Sequence, residues 1–177
     1  MAKTSNLREF QEAILLRLKE ATAKGGSVST SRLGVIVGSK RVLINLHEVS
    51  EVLPVPPMQY VPLTLPWFLG VANVRGNLYN ITDLAQFMGL PPTPKSINNR
   101  IVLINSDVTT QVAVVIDSLV GLRSVEAMKR KPVAKNNKNK DILLGESSYE
   151  DVDKNEWFEL NIEALVQDKA FIQPTIS

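Results

Sequence analysis

The spacing of apolar residues changes character at about residue 31. Upstream, Leu7, Phe10, Ile14, Leu18 and Ala21 recur at steps of three and four, which gathers them on one face of a helix. Asn6 and Glu9 stand at capping-box spacing, and Gly25-Gly26 offers the left-handed geometry that ends helices. The pattern predicts an amphipathic helix over 6–24, either packed on the domain or held for a partner. Its mixed charges argue against a membrane surface. Residues 1–28 then form a helix and a joint, and residues 29–177 the main domain.

From residue 31 onward, short β-rich runs alternate with turn signals. Arg32–Val37 and Lys40–Leu46 flank Gly38-Ser39, a two-residue hairpin loop. Glu48–Leu53 is a third strand. Five prolines within residues 54–66 impose an extended connection and exclude a helix or central strand. Trp67–Val74 and Leu78–Ile81 are strands about a tight turn at Gly76-Asn77. Asp83 caps a short helix that reaches Met88 and is closed by Gly89. Arg100–Asn105 and Gln111–Ile116 follow, the latter so continuously apolar that both its faces should be covered. Ser118–Val125, Asp141–Tyr149 and Asn155–Leu160 are further candidate strands, and a C-terminal helix is expected over 162–170. Strands this short, repeated every 8–12 residues, mean barrels or sandwiches. The chain is therefore expected to be all-β with short helices, as two small barrels of about five strands side by side.

Composition narrows the chemistry. The chain has 177 residues with no cysteine and one histidine, His47. Thiol catalysis, disulfides, cysteine–zinc sites and any site needing two histidines are thereby excluded. Nucleotide-binding glycine loops, the nucleophile elbow and the zincin motif are missing. The chain is expected to be non-catalytic, with no cofactor and no metal site. Asp83 and Asp117 could form a carboxylate pair in space, but capping and turn roles are simpler. No run reaches the length of a membrane span and no leader is apparent, so a cytoplasmic protein without membrane insertion is expected.

The net charge of +2 is unevenly spread: residues 1–122 carry +3, residues 123–140 carry +6 and residues 141–177 carry −7. The segment 129–140, KRKPVAKNNKNK, is read as a mobile surface loop. Its lysines and arginine could neutralise phosphates, which makes a nucleic-acid-binding β-barrel the alternative reading. No aromatic residue lies among them to stack on bases, so no nucleic-acid partner is expected.

The run Gly70–Leu84, GVANVRGNLYNITDL, holds an arginine between a strand and a turn glycine. Arg75 could tie two loops together or present its donors to a partner. This run resembles the CheW-like family of bacterial chemosensory adaptors, whose pattern is roughly G-V-x-N-x-R-G-x-x-x-P-x-x-D-L. Glu48–Leu53 is similar to the family's E-V-x-E-V segment, and Val112–Leu119 to its G-L-x-V-D-x-V segment. The blocks occur in family order over about residues 30–125. Asn80 replaces the usual proline, Ala113 a common glycine, and Asn161 stands near the usual carboxylate of the final segment.

The resemblance implies two SH3-like five-stranded barrels and no catalysis. It implies an adaptor joining a methyl-accepting chemoreceptor to a CheA-like histidine kinase at membrane-bound receptor arrays. The branch it most resembles serves chemosensory systems controlling type IV pili and twitching motility. By motif match, Glu51, Arg75 and Gly76 are expected to contact partners, with Asn73 and Asp83 as supports. Val49, Val52 and Val74 either line the binding groove or pack in the core.

Overall fold

The computed structural model describes residues 31–132 and 144–176. The expected helix over 6–24 and the segment 133–140 of the basic loop lie outside the described residues. Among the described residues eleven strands form two sheets. The first holds β1 (Ser31–Val37), β2 (Lys40–Asn45), β8 (Ser118–Ser124), β9 (Lys129–Pro132), β10 (Leu144–Glu150) and β11 (Glu156–Leu160), in the order β8-β1-β2-β11-β10-β9. The second holds β3 (Val49–Pro54), β4 (Phe68–Val74), β5 (Asn77–Asp83), β6 (Arg100–Ile104) and β7 (Val112–Ile116), in the order β3-β6-β7-β5-β4. The expected pair of β lobes stands. The five-stranded lobe is inserted between β2 and β8 of the other.

Helices are short. Helix α1 (Leu84–Phe87) is capped by Asp83, and Gly89 follows it at φ 84°. The C-terminal helix expected over 162–170 is two helices, α2 (Ile162–Gln167) and α3 (Lys169–Ile172). Asp168 breaks the run because its backbone is extended at φ −71°, ψ 122° while its carboxylate accepts from the Ala170 N–H. The same residue ends one helix and starts the next.

Two other expectations are corrected. The hairpin turn lies at Arg75-Gly76, not Gly76-Asn77: Asn77 already pairs with Val74, and the two central residues have φ 51° and 86°, as a two-residue hairpin loop requires. The segment 129–140 is not all loop. Its first four residues are β9, the sheet-edge partner of β10. An edge strand needs only backbone pairing, so polar KRKP serves. Lys131 forms an ion pair with Glu150, and Arg130 Nε donates to Ser147 Oγ at 2.8 Å.

Strand periodicity places the core. Val102 and Ile104 on β6, with Val114 and Ile116 on β7, join Leu33, Val35, Val42 and Ile44 of the first sheet, α1, and the C-terminal helices in one buried cluster. The alternate residues, Ile101, Leu103, Ala113 and Val115, face a second cluster with Ala72 and Ile81. Side chains two residues apart share a face, so β6 and β7 are buried on both faces. This is why Gln111–Ile116 reads as a continuous apolar run.

The departures from the family pattern are accommodated locally. Asn80 uses the N–H that proline would lack, donating to the Gln111 carbonyl at 2.9 Å beside the parallel β5–β7 pairing. Asn161 caps α2, accepting from the Ala164 N–H at 3.0 Å.

Two features carry testable consequences. Gly70 has φ 131°, and a Cβ there would lie 2.2 Å from the Gln59 carbonyl oxygen. Gly76, at φ 86°, has open space around a built Cβ. Gly70→Ala is expected to lose at least about 2 kcal/mol in urea unfolding, from clash and strain together. Gly76→Ala should lose only about 1 kcal/mol, from strain.

Asp151 accepts the Trp157 indole N–H at 2.9 Å and the N–H groups of Asp153 and Asn155. The indole bond, followed by those from Asn155 and Asp153, holds its carboxyl down to about 2 against some desolvation. The stabilisation is present above the unfolded carboxyl range near 3.9. It is lost as pH falls through about 2. Asp151→Asn should lower stability at pH 7 and flatten the acid limb of a stability–pH curve over that window.

Candidate partner-binding site

The hairpin β4–β5 and the edge strand β3 build the site. Val49 of β3 is opposite Ile104, Glu51 is opposite Leu103, and the register shifts between them. In a regular strand Val49 and Glu51 would share a face. The bulge instead turns Glu51 toward the Leu103 side, where Leu53 packs on the second cluster. Residues of all five strands surround that cluster, from Leu53 on β3 round to Ala72 and Val74 on β4. The sheet therefore curls so that its terminal strands, β3 and β4, approach across an open seam.

Glu51 and Arg75 fasten that seam. Arg75 Nη1 donates to Glu51 Oε2 at 2.8 Å and Nη2 to Oε1 at 2.5 Å. Such a fork-to-fork pair is strongly directional. The guanidinium side chain stays 65% exposed, whereas the carboxylate is 20% exposed. The arginine is thus held from below and open above. Asn73 Oδ1 accepts the Gly76 N–H at 2.9 Å, tying the strand to its own turn. With Arg75 and Gly76 both at positive φ, the tip is a constrained platform.

The sequence-expected residues divide as follows. Glu51, Arg75, Gly76 and Asn73 come together at the hairpin tip. Asp83 lies at the far end of β5, only 2% exposed. It accepts the Thr93 N–H at 2.8 Å, the Thr93 hydroxyl at 2.7 Å and the Gln86 N–H at 3.4 Å. It supports the hairpin by anchoring α1 and the loop beyond it. Val49 is fully buried in the shared core, where packing is its role and no surface remains for a partner. Val52 is partly buried against that core and Val74 against the second cluster. Sequence reasoning missed Leu78, 59% exposed and paired with Asn73 on the hairpin. Its signal was the outward register of a strand starting just past the turn.

Asp83 and Asp117 have separate environments. Burial pushes the Asp117 carboxyl above its usual range, and the Asp83 charge adds to this against a hydrogen bond from the Gly38 backbone. Asp117 Oδ2 is buried without a hydrogen-bond partner. Asp83 is committed to Thr93 and Gln86, which gives it the capping role expected from its position. Among the described residues no cluster of three or more potential metal ligands occurs, and no helix is long and apolar enough to cross a membrane.

With the fold and the seam defined, the class of protein follows. Residues 32–170 match the model of the CheW-like domain, and the chain belongs to that family. Among curated proteins it is 33% identical over 95 residues to Protein PilI of Pseudomonas aeruginosa, covering 54% of this chain and 53% of that one. It is 27% identical over 110 residues to Chemotaxis protein CheV3 of Helicobacter pylori, covering 60% of this chain and 35% of that one. The aligned regions thus span about half and about a third of those relatives' lengths. The crystal structure of the scaffolding protein TtCheW from Thermoanaerobacter tengcongensis shares the fold with a TM-score of 0.65 at 15% identity, over 79% of this chain and 94% of that one.

The Glu51–Arg75 pair should contribute little to stability on its own, because an exposed ion pair is solvent-screened. A double-mutant cycle of Glu51→Ala and Arg75→Ala in urea unfolding is expected to give a coupling of about 0.3–1 kcal/mol. The coupling should shrink in 1 M salt.

Proposed function

We propose that this chain is a non-catalytic adaptor that couples a methyl-accepting chemoreceptor to a CheA-like histidine kinase. The pathway it serves controls type IV pili and twitching motility. The likeness to Protein PilI supports the pilus branch. The observation that carries the adaptor reading is the hairpin tip: an exposed arginine, pre-set by Glu51, on a platform whose backbone is fixed by its turn. An arginine held in one rotamer loses less entropy when a partner arrives.

In this reading residues 29–177 are the functional unit and residues 1–28 an appended segment. Glu51, Arg75 and Gly76 meet the partner, with Leu78, Val52 and Val74 as apolar neighbours. Asn73 and Asp83 keep the hairpin in place. The receptor's helical hairpin lies along the groove between the two lobes as a helix-in-groove contact. The kinase docks a CheW-like domain of its own on one lobe. Differential contacts with the kinase's states then shift their populations, with no bond made or broken. The protein works in the cytoplasm, recruited to receptor arrays at the membrane.

Titration calorimetry with the cognate kinase and a soluble receptor fragment tests this. Arg75→Ala is expected to weaken at least one of the two contacts tenfold or more, about 1.4 kcal/mol, with little change in melting temperature. Unchanged affinity for both partners would remove Arg75 from the interface. A sharp fall in melting temperature would reassign it to the fold.

A further inference from the structure

On the side of the fold where the C-terminal segment meets the proline-rich connection, three large apolar side chains stand in water. Leu63, Ile172 and Ile176 are 73%, 56% and 60% exposed. They are brought together by backbone pairing. The Ile176 N–H donates to the Leu63 carbonyl at 2.8 Å, the Leu65 N–H donates to the Pro174 carbonyl at 2.6 Å, and Thr64 bridges Thr175. Ile172 and Pro174 also form the apolar rim of a cleft with Phe171 and Val166, whose other wall is polar and includes Asn80, Thr109 and Thr110. Leu63 has φ 59°, a region unfavourable to a leucine. Strain and exposure thus coincide at one residue. The surrounding chain carries no charge: residues 52–74 and 170–177 contain no Asp, Glu, Lys or Arg. A charged partner surface would lose solvation here without gaining an ion pair.

We propose that this patch is the docking surface for the apolar residues Leu7, Phe10, Ile14 and Leu18 of the chain's own N-terminal segment. Two observations favour that occupant. First, the chemistry matches, because those residues form one apolar stripe at helical spacing and the patch is apolar and uncharged. Second, the distances allow it. The start of β1, the end of β2 and the end of β11 lie at the same end of the first sheet, where Arg32 is paired with Glu159 at 3.1 Å. Helices α2 and α3 run from there to Ile172, a contour of about 22 Å when the extended Asn161 and Asp168 are counted with the helical residues, within reach of the linker 25–30 and the segment that precedes it. The six residues 25–30 span up to about 20 Å when extended. The segment 6–24 can therefore start from Ser31 and reach the patch.

The absence of cysteine makes the test direct. In the full chain, Ile14→Cys is combined either with Ile176→Cys or with Val152→Cys. Val152 is a more accessible apolar control, 87% exposed against 60% for Ile176, in the β10–β11 turn at the opposite end of that sheet. Each pair is treated with a short bismaleimide at low protein concentration. The 14–176 pair is expected to cross-link within one chain at least tenfold faster than the 14–152 pair. Leu63→Asp should remove that advantage, and the fold should survive it, because aspartate tolerates positive φ better than leucine does. Equal rates for the two pairs, or no effect of Leu63→Asp, would overturn the proposal. Cross-linked dimers in place of the intramolecular product would assign the patch to a second copy and overturn it as well.

Discussion

The burial of β6 and β7 on both faces is the constraint around which the molecule is organised. Their alternating side chains serve two cores at once. Val102, Ile104, Val114 and Ile116 bind the five-stranded lobe to the first sheet and the helices, while Ile101, Leu103, Ala113 and Val115 fill the lobe's interior. The lobes are therefore two faces of one packing arrangement, and neither can shift without disturbing side chains that both need. Close-packed interiors transmit such displacements instead of absorbing them. Under the proposed adaptor role this stiffness is useful, because partners held on it keep a fixed relation.

The hairpin site depends on that frame through the bulge in β3. One extra residue between Val49 and Glu51 sends the valine into the shared core and the carboxylate toward Arg75. The backbone irregularity therefore separates a packing residue from the ion-paired Glu51 two positions away. Arg75 occupies a left-handed backbone position that arginine does not favour, and it is retained because the turn geometry and the Glu51 carboxylate both hold it there. The strain is local and sits where the surface is exposed.

Much of this was legible in the chain. The period-two runs located the strands, the unbroken apolar run of β7 announced its double burial, and Asp83 was identifiable as a cap from its place before a short apolar helix. Glu51 and Arg75 were singled out by resemblance, but their pairing was not visible. It joins residues 24 apart through a register shift and the curl of a sheet, neither of which leaves a mark in composition. Strand β9 was hidden because KRKP has no apolar signal and an edge strand is made by backbone bonds. The break at Asp168 was hidden because aspartate at that spacing reads as readily as a surface helix residue. The turn was misplaced by one residue because Gly76-Asn77 looks like a hairpin pair, whereas the chain puts Arg75 into positive φ. Thr93, which clasps Asp83, sits among prolines with no spacing rule to connect the two.

The insertion of one lobe within the other has a consequence for how the chain is made. Strand β1 lies between β2, its immediate successor, and β8, whose residues come more than eighty positions later. On a ribosome, the whole inserted lobe emerges before the strands that complete the first sheet. Until β8 to β11 arrive, the β1–β2 hairpin is an unfinished edge, and an isolated hairpin is only marginally stable in water. Closing distant strands late also slows folding, since the loop entropy is lost before the contacts form. The inserted lobe has all five of its strands within residues 49–116. It can assemble first and present the outer faces of β6 and β7 as the template on which the rest of the protein is laid down.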